Sequence, residues 1–196
     1  MKRLNYEVIQ LFLSIECKQI IRRIFLRLLI FLLLPFLIVA QDQIIHCTFN
    51  MGGIYYACFM HQASVTTDGP VQFIKGEHLA NLNDSDVHGL VVFPLETFDA
   101  TIHVLSRHII NYFENIESVF ISKARVQRIT FDAFQRCDNI HEVVLMSNEI
   151  TSLHNGIFRN CRNLRMLDLR SNWIGAIHSD LFNGLSSLDT VRLTSN

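Results

Sequence analysis

The 196-residue sequence has no apolar run long enough to cross a bilayer. The stretch Leu28–Ala40 is thirteen residues long, against the roughly 18 or more that a spanning helix needs. It contains no GxSxG elbow, no phosphate-cradling glycine loop and no HExxH pair, and its acidic residues are scattered. Serine hydrolysis, P-loop nucleotide chemistry and zincin-type proteolysis therefore have no anchor in it. Basic residues are scarce after residue 40. Six of the 17 Lys/Arg and two of the 18 Asp/Glu lie in residues 1–40, which leaves 11 basic and 16 acidic side chains and a formal charge of −5. Residues 41–115 carry two basic and eight acidic groups, and residues 116–196 carry nine and eight. Neither half has the basic stripe of a nucleic-acid binder, so no nucleic-acid partner is expected. There are nine histidines, but none falls in a metal-motif spacing. His154 and His178 lie side by side in an exposed loop column with no third ligand, and no metal or cofactor is expected.

Residues 1–40 read as a secretory signal. Arg22, Arg23 and Arg27 precede the apolar run, and the small residue Ala40 ends it before the polar Gln41-Asp42. Cleavage is expected after Ala40, with an uncleaved membrane anchor as the alternative. The segment before Arg22 is long for a leader. Cys17 falls inside it, which leaves Cys47, Cys58, Cys137 and Cys161, an even number that suits an oxidising compartment.

What the sequence does have is a repeat. Shifting the chain against itself by 24 residues aligns Ile116, Ile140, Leu164 and Leu188. The same shift aligns Val119, Val143, Leu167 and Val191, and then Ile121, Leu145, Leu169 and Leu193. Asn148, Asn172 and Asn196 make a further column, followed by Val126, Ile150 and Ile174, then Ile129, Leu153 and Ile177, then Phe134, Phe158 and Phe182. The unit is LxxLxLxxNxIxxLxxxxFxxCxx, most complete in residues 164–187. Its LxL segment alternates apolar and polar, as a strand with one buried face does. Such a strand is too short to stand alone, so successive coils stack and share a core. Asparagine at the ninth position turns the chain out of the strand and bonds backbone groups that the turn leaves unpaired. The returning side of each coil is expected to run as short helical or 3₁₀ turns, with Gly156 and Gly184 at matching loop positions.

These columns resemble the extracellular, 24-residue "typical" class of the leucine-rich repeat family. The N-terminal segment is similar to that of secreted or membrane-tethered repeat proteins of insects, among them Toll-like, Slit-like and leucine-rich immune proteins. The resemblance implies an α/β-type leucine-rich repeat solenoid, a curved right-handed coil stack with a parallel sheet on its concave face. The repeats are placed at 87–196: an irregular unit 87–115 with one strand around Leu90 and Val92, regular units 116–139, 140–163 and 164–187, and a partial unit 188–196. Ala124 stands where the asparagine column begins, so the first regular turn should be built differently.

Residues 41–86 form the N-terminal cap in this reading. Cys47 and Cys58 bracket TFNMGGIYYA, whose Gly52-Gly53 marks a turn between apolar runs, so a disulfide-closed β-hairpin is expected to cover the open end of the solenoid. Cys137 and Cys161 share one coil position, which Phe113 and Leu185 occupy in neighbouring units. That column is interior and accommodates two buried thiols. Coils stacked about 5 Å apart also allow a disulfide, so both states stay open. Asn83-Asp84-Ser85 is the one glycosylation sequon.

Positions between the strand leucines project from the concave sheet. The columns are Ser118, Glu142, Met166 and Thr190; Phe120, Val144, Asp168 and Arg192; and Ser122, Met146, Arg170 and Thr194. Phe120, Val144, Met146 and Met166 are apolar at positions expected to face solvent, with Glu142, Asp168, Arg170 and Arg192 beside them, which suits a protein-binding patch. The expected function is a secreted, non-enzymatic module that binds another extracellular protein on this face. The alternatives are the N-terminal part of a membrane receptor ectodomain and a structural matrix component. Membrane contact is expected only through an uncleaved leader or a spanning segment beyond Asn196. The last strand, Leu188–Leu193, has no following coil to cover its edge, so a longer solenoid is expected.

Overall fold

The computed structural model describes residues 43–92 and 99–196. The expected leader and its cleavage point lie outside the described residues, as do residues 93–98 of the irregular unit. The described strands are β1 (Ile44–Gly52), β2 (Tyr55–Val65), β3 (Gln72–Lys75), β4 (Gly89–Val92), β5 (Asp99–Ile102), β6 (Val104–Leu105), β7 (Ser118–Ile121), β8 (Arg128–Ile129), β9 (Glu142–Val144), β10 (Met166–Asp168) and β11 (Thr190–Arg192). Nine of them form one sheet in the order β11-β10-β9-β7-β4-β2-β1-β3, with β5 also pairing β2. All pairings except β1–β2 are parallel. The result is a β-solenoid of about five turns with little helix.

The 24-residue shift is the physical register of this stack. Val119 pairs with Val143 and Val143 with Leu167, and all three side chains are fully buried. Ile121, Leu145 and Leu169 form a second buried row in the same interior. On the far wall Phe134 and Phe158 pack in a tilted arrangement with ring centroids 4.9 Å apart. Each row shields the one below it, so burial accumulates only when coils are stacked.

Asparagines fasten each coil to its neighbour. Asn148 accepts through Oδ1 from the amides of Ala124 (3.0 Å) and Val126 (3.1 Å). Its Nδ2 donates to the carbonyls of Ile121 (2.8 Å), Leu145 (3.0 Å) and Met146 (3.3 Å). Asn172 repeats this with Ile150, Leu145, Leu169 and Arg170, and Asn196 with Ile174, Leu169 and Leu193. Ala124 has no side-chain amide to extend the ladder to the preceding coil, and its own backbone amide is one of the two that Asn148 receives. The residue before each ladder position takes a left-handed backbone: Lys123, Ser147, Ser171 and Ser195 have φ between 54° and 63°. This uncommon conformation for residues with a Cβ is repeated in four successive coils, and in three of them a ladder asparagine follows directly.

The cap is a hairpin, as expected, but it is also part of the sheet. Gly53 (φ 69°) and Ile54 make its two-residue turn, and β2 pairs with β4 in register Ala57–Gly89, Cys58–Leu90 and Phe59–Val91. Close approach there needs Gly89, since a Cβ on it would lie 2.9 Å from the Ala57 Cβ. Cys47 and Cys58 are disulfide-bonded with Cα atoms 5.4 Å apart, although their ladder partners are Met60 and Phe49. Beneath the hairpin, Phe49, Tyr56, Phe73 and Phe113 close the end of the core. The Tyr56 hydroxyl bonds His78 Nδ1 (3.0 Å) and His78 Nε2 meets Asp84 Oδ1 (3.0 Å).

Cys137 and Cys161 are bridged, with Cα atoms 4.7 Å apart and both side chains fully buried. Of the two states the sequence allows, the structure holds the disulfide. The returning side of the coils departs in part from short helical turns. It includes one helical turn at Arg107–Ile110 and a 3₁₀ turn at Ser179–Phe182, but β6 and β8 pair as strands there, in register Val104–Arg128 and Leu105–Ile129. Those pairs are again 24 residues apart, and Val104, Leu105 and Ile129 are all buried.

Gly156 (φ 68°) and Gly184 (φ 90°) share a left-handed backbone, but only Gly184 is also sterically closed. A Cβ there would lie 2.6 Å from the Arg159 carbonyl oxygen of the preceding coil. Gly184→Ala is expected to cost about 2 kcal/mol and Gly156→Ala about 1 kcal/mol, as read by thermal or urea melting.

Candidate functional site

The outward row of the sheet runs Phe59, Val91, Phe120, Val144, Asp168 and Arg192, each paired in register with the next. The 24-residue register alone begins this row at Phe120. Phe59 and Val91, both half-buried, continue it across the cap. The signal was the alternation in which Cys58 and Leu90 point inward and Phe59 and Val91 outward, and it is legible once β2 is placed in the same sheet.

The structure corrects two expectations about exposure. Val144 is 2% exposed and Asp168 is 1% exposed, although both lie on the outward row. Phe120, Met146, Met166, Glu142 and Arg170 are half-buried, and Arg192 is exposed. Val144 is flanked in its row by Phe120 on one strand and Asp168 on the other. The apolar patch therefore consists of Phe120, Met146 and Met166 around a covered Val144. Ser118 and Ser122 are buried as well.

Asp168 is buried because arginines close over it. Arg170 Nε donates to both carboxylate oxygens (3.0 Å each), its Nη2 donates to Oδ2 (2.7 Å) and its backbone amide to Oδ1 (3.1 Å). Arg192 Nη1 stands 3.6 Å from Oδ2. Burial alone would raise the Asp168 pKa, but the Arg170 hydrogen bonds and the charges of Arg170 and Arg192 outweigh it and hold the carboxyl below its ordinary value. The same bonds raise the pKa of the Arg170 guanidinium. A depressed carboxyl stabilises the fold above its unfolded pKa of about 4, and that stabilisation is lost as pH falls through the lower folded value. Asp168→Asn is therefore expected to flatten the fall in stability below about pH 4, as measured by urea melts across that range.

A second feature lies where the strands begin. A hollow of about 370 Å³ is lined by Tyr55, Glu117, His141, Glu142, Arg165 and Met166. Burial, then the carboxylates of Glu117 and Glu142, raise the Tyr55 pKa above its ordinary phenol value, with Arg165 acting against them. Glu142 also faces the Ser118 hydroxyl (3.4 Å).

The remaining site residues fall elsewhere. Asn83 is exposed and caps a 3₁₀ turn, where its Oδ1 accepts from the Ser85 amide and hydroxyl. His154 and His178 are exposed on the returning side. No group of three metal-ligating side chains occurs among the described residues. No helix among them is long and apolar enough to cross a membrane.

The leucine rich repeat family model matches residues 138–196. The fold is a mostly parallel β-solenoid of about five turns with a disulfide-closed hairpin at its N-terminal end, and the leucine-rich repeat match falls on its later coils. Two solved structures match over 78% of this chain. One is a crystal structure of the LRIM1/APL1C complex, at 17% identity and a TM-score of 0.49, of which this chain covers 31% of the matched chain. The other is the APL1 leucine-rich repeat domain, at 18% identity and a TM-score of 0.49, with 43% of that chain covered. The chain thus spans less than half the length of either. No curated protein matches it.

Proposed function

We propose that this protein is a secreted, non-enzymatic recognition module whose concave face binds another extracellular protein. The observation that carries this reading is one outward surface on which half-buried Phe120, Met146 and Met166 adjoin an arginine pair held by a buried carboxylate. Aromatic, methionine and arginine side chains are the types enriched at protein interfaces, and a rigid sheet presents them with little ordering cost. Secretion is supported by two disulfides that use all four cysteines after residue 40, since such bridges persist in oxidising compartments. A glycan on the exposed Asn83 fits the same route.

Affinity capture from extracellular fluid, followed by mass spectrometry, tests this reading. A protein held by the wild type and lost with Met146→Glu, at unchanged circular dichroism and melting, is the expected result. Equal capture of that protein by a folded Met146→Glu variant would overturn the concave-face assignment.

A further inference from the structure

The arginine pair on the concave face has more positive charge than its own carboxylate uses. Asp168 is almost wholly buried, and four hydrogen bonds from Arg170 engage its two oxygens. Arg192 touches it only at 3.6 Å and keeps about half of its side chain exposed. Two guanidiniums thus share one carboxylate, and the cluster carries a net charge of +1. The acidic residue of the neighbouring column, Glu142, is turned to the Ser118 hydroxyl instead.

We propose that the Arg170–Arg192 pair, oriented by the buried Asp168, receives an aspartate or glutamate side chain of a protein partner, whose neighbouring apolar side chain packs on Phe120 and Met146. This rests on the reading of the concave face as the binding surface. Arginine suits the role because its planar fork matches a carboxylate, and most of Arg170's ordering is already spent in the fold by its bonds to Asp168. The apolar neighbours favour a protein over a sulfated glycan, which would place hydrated polar groups against them. Strand spacing sets the scale. Val144, Asp168 and Arg192 lie on successive strands about 4.8 Å apart, so the apolar and cationic ends of the row are separated by roughly 10–15 Å. An extended partner segment covers that distance in about three or four residues.

A randomised peptide library displayed on phage and panned against the full chain tests the chemistry without a known partner. The expected clones carry Asp or Glu three or four residues from an apolar side chain. They lose roughly tenfold or more in affinity on Arg192→Gln of the protein, or on replacement of their acid by its amide. Clones with no acidic preference, or no enriched clones, overturn the inference. Clones that bind Arg192→Gln as well as wild type but are lost with Met146→Glu overturn it while leaving the concave-face reading standing. Clones indifferent to both variants overturn both. Retention on heparin that Arg192→Gln abolishes, with no acidic preference among peptides, assigns the cluster to a polyanionic glycan and also overturns it.

Discussion

Asn148→Ala is expected to destabilise the solenoid by about 3–5 kcal/mol, a large share of the stability of a domain this size. Asn148 is 5% exposed and holds five backbone groups drawn from two successive coils. Alanine removes the acceptor of the Ala124 and Val126 amides, so each of these buried amides is left with its desolvation cost. The left-handed backbone at Ser147 (φ 57°) loses the bonds that over-determine it. Asn148→Asp separates the two halves of this role. It keeps the acceptor toward the amides but sets a carboxylate against the carbonyls of Ile121, Leu145 and Met146. A carboxylate cannot donate to those carbonyls, so the variant should be destabilised, and less so at acid pH, where a protonated oxygen can donate once more. Urea melting with hydrogen exchange checks both variants. Exchange should accelerate first in the coils on either side of residue 148, since solenoid coils are stabilised mainly by their neighbours. A change under about 1 kcal/mol for Asn148→Ala would show that the ladder is not the fastening element it is taken to be.

The parts of this fold that a sequence can announce are those with a period. The rows of Val119, Val143 and Leu167, and of Ile121, Leu145 and Leu169, repeat one physical environment, so identical spacing repeats in the chain. The Asn148, Asn172 and Asn196 column was legible for the same reason, and its hydrogen bonds follow from the turn that ends each strand. What was not legible belongs to single coils. Val144 and Asp168 occupy outward positions, and only the side chains on adjacent strands determine that one is covered and the other sealed by Arg170 and Arg192. The strand around Leu90 and Val92 was legible as an irregular first unit, but the continuation of the sheet through Phe59 was hidden because β2 lies outside the 24-residue register. The left-handed Lys123, Ser147 and Ser171 carry no glycine to mark them in the sequence.

The Cys137–Cys161 bridge is where period and chemistry diverge, and its removal is the second large expected effect. An interior column with Phe113 and Leu185 at equivalent positions is satisfied by any small apolar pair, so burial alone does not call for a bond between the sulfurs. Stacking supplies the other condition: the Cα atoms lie 4.7 Å apart, within the range that a disulfide spans without backbone movement. The sequence separation of 24 closes a loop one coil long, and the loop-entropy estimate is about 3 kcal/mol of stability through the unfolded state. The Cys47–Cys58 bridge closes a loop less than half that length, and the same estimate gives about 0.7 kcal/mol less. In a Cys47→Ala/Cys58→Ala background, dithiothreitol should therefore lower the melting temperature by roughly 5–10 °C. Cys137→Ala/Cys161→Ala in the same background should melt near that reduced value and respond no further to reductant. Serine at both sites should be worse than alanine, because two hydroxyls would enter a column with no polar partner. An unchanged melt under reductant, with both thiols open to alkylation once the secreted protein is unfolded, would mean that the column holds two buried thiols. The bond would then contribute nothing to holding this coil on its neighbour.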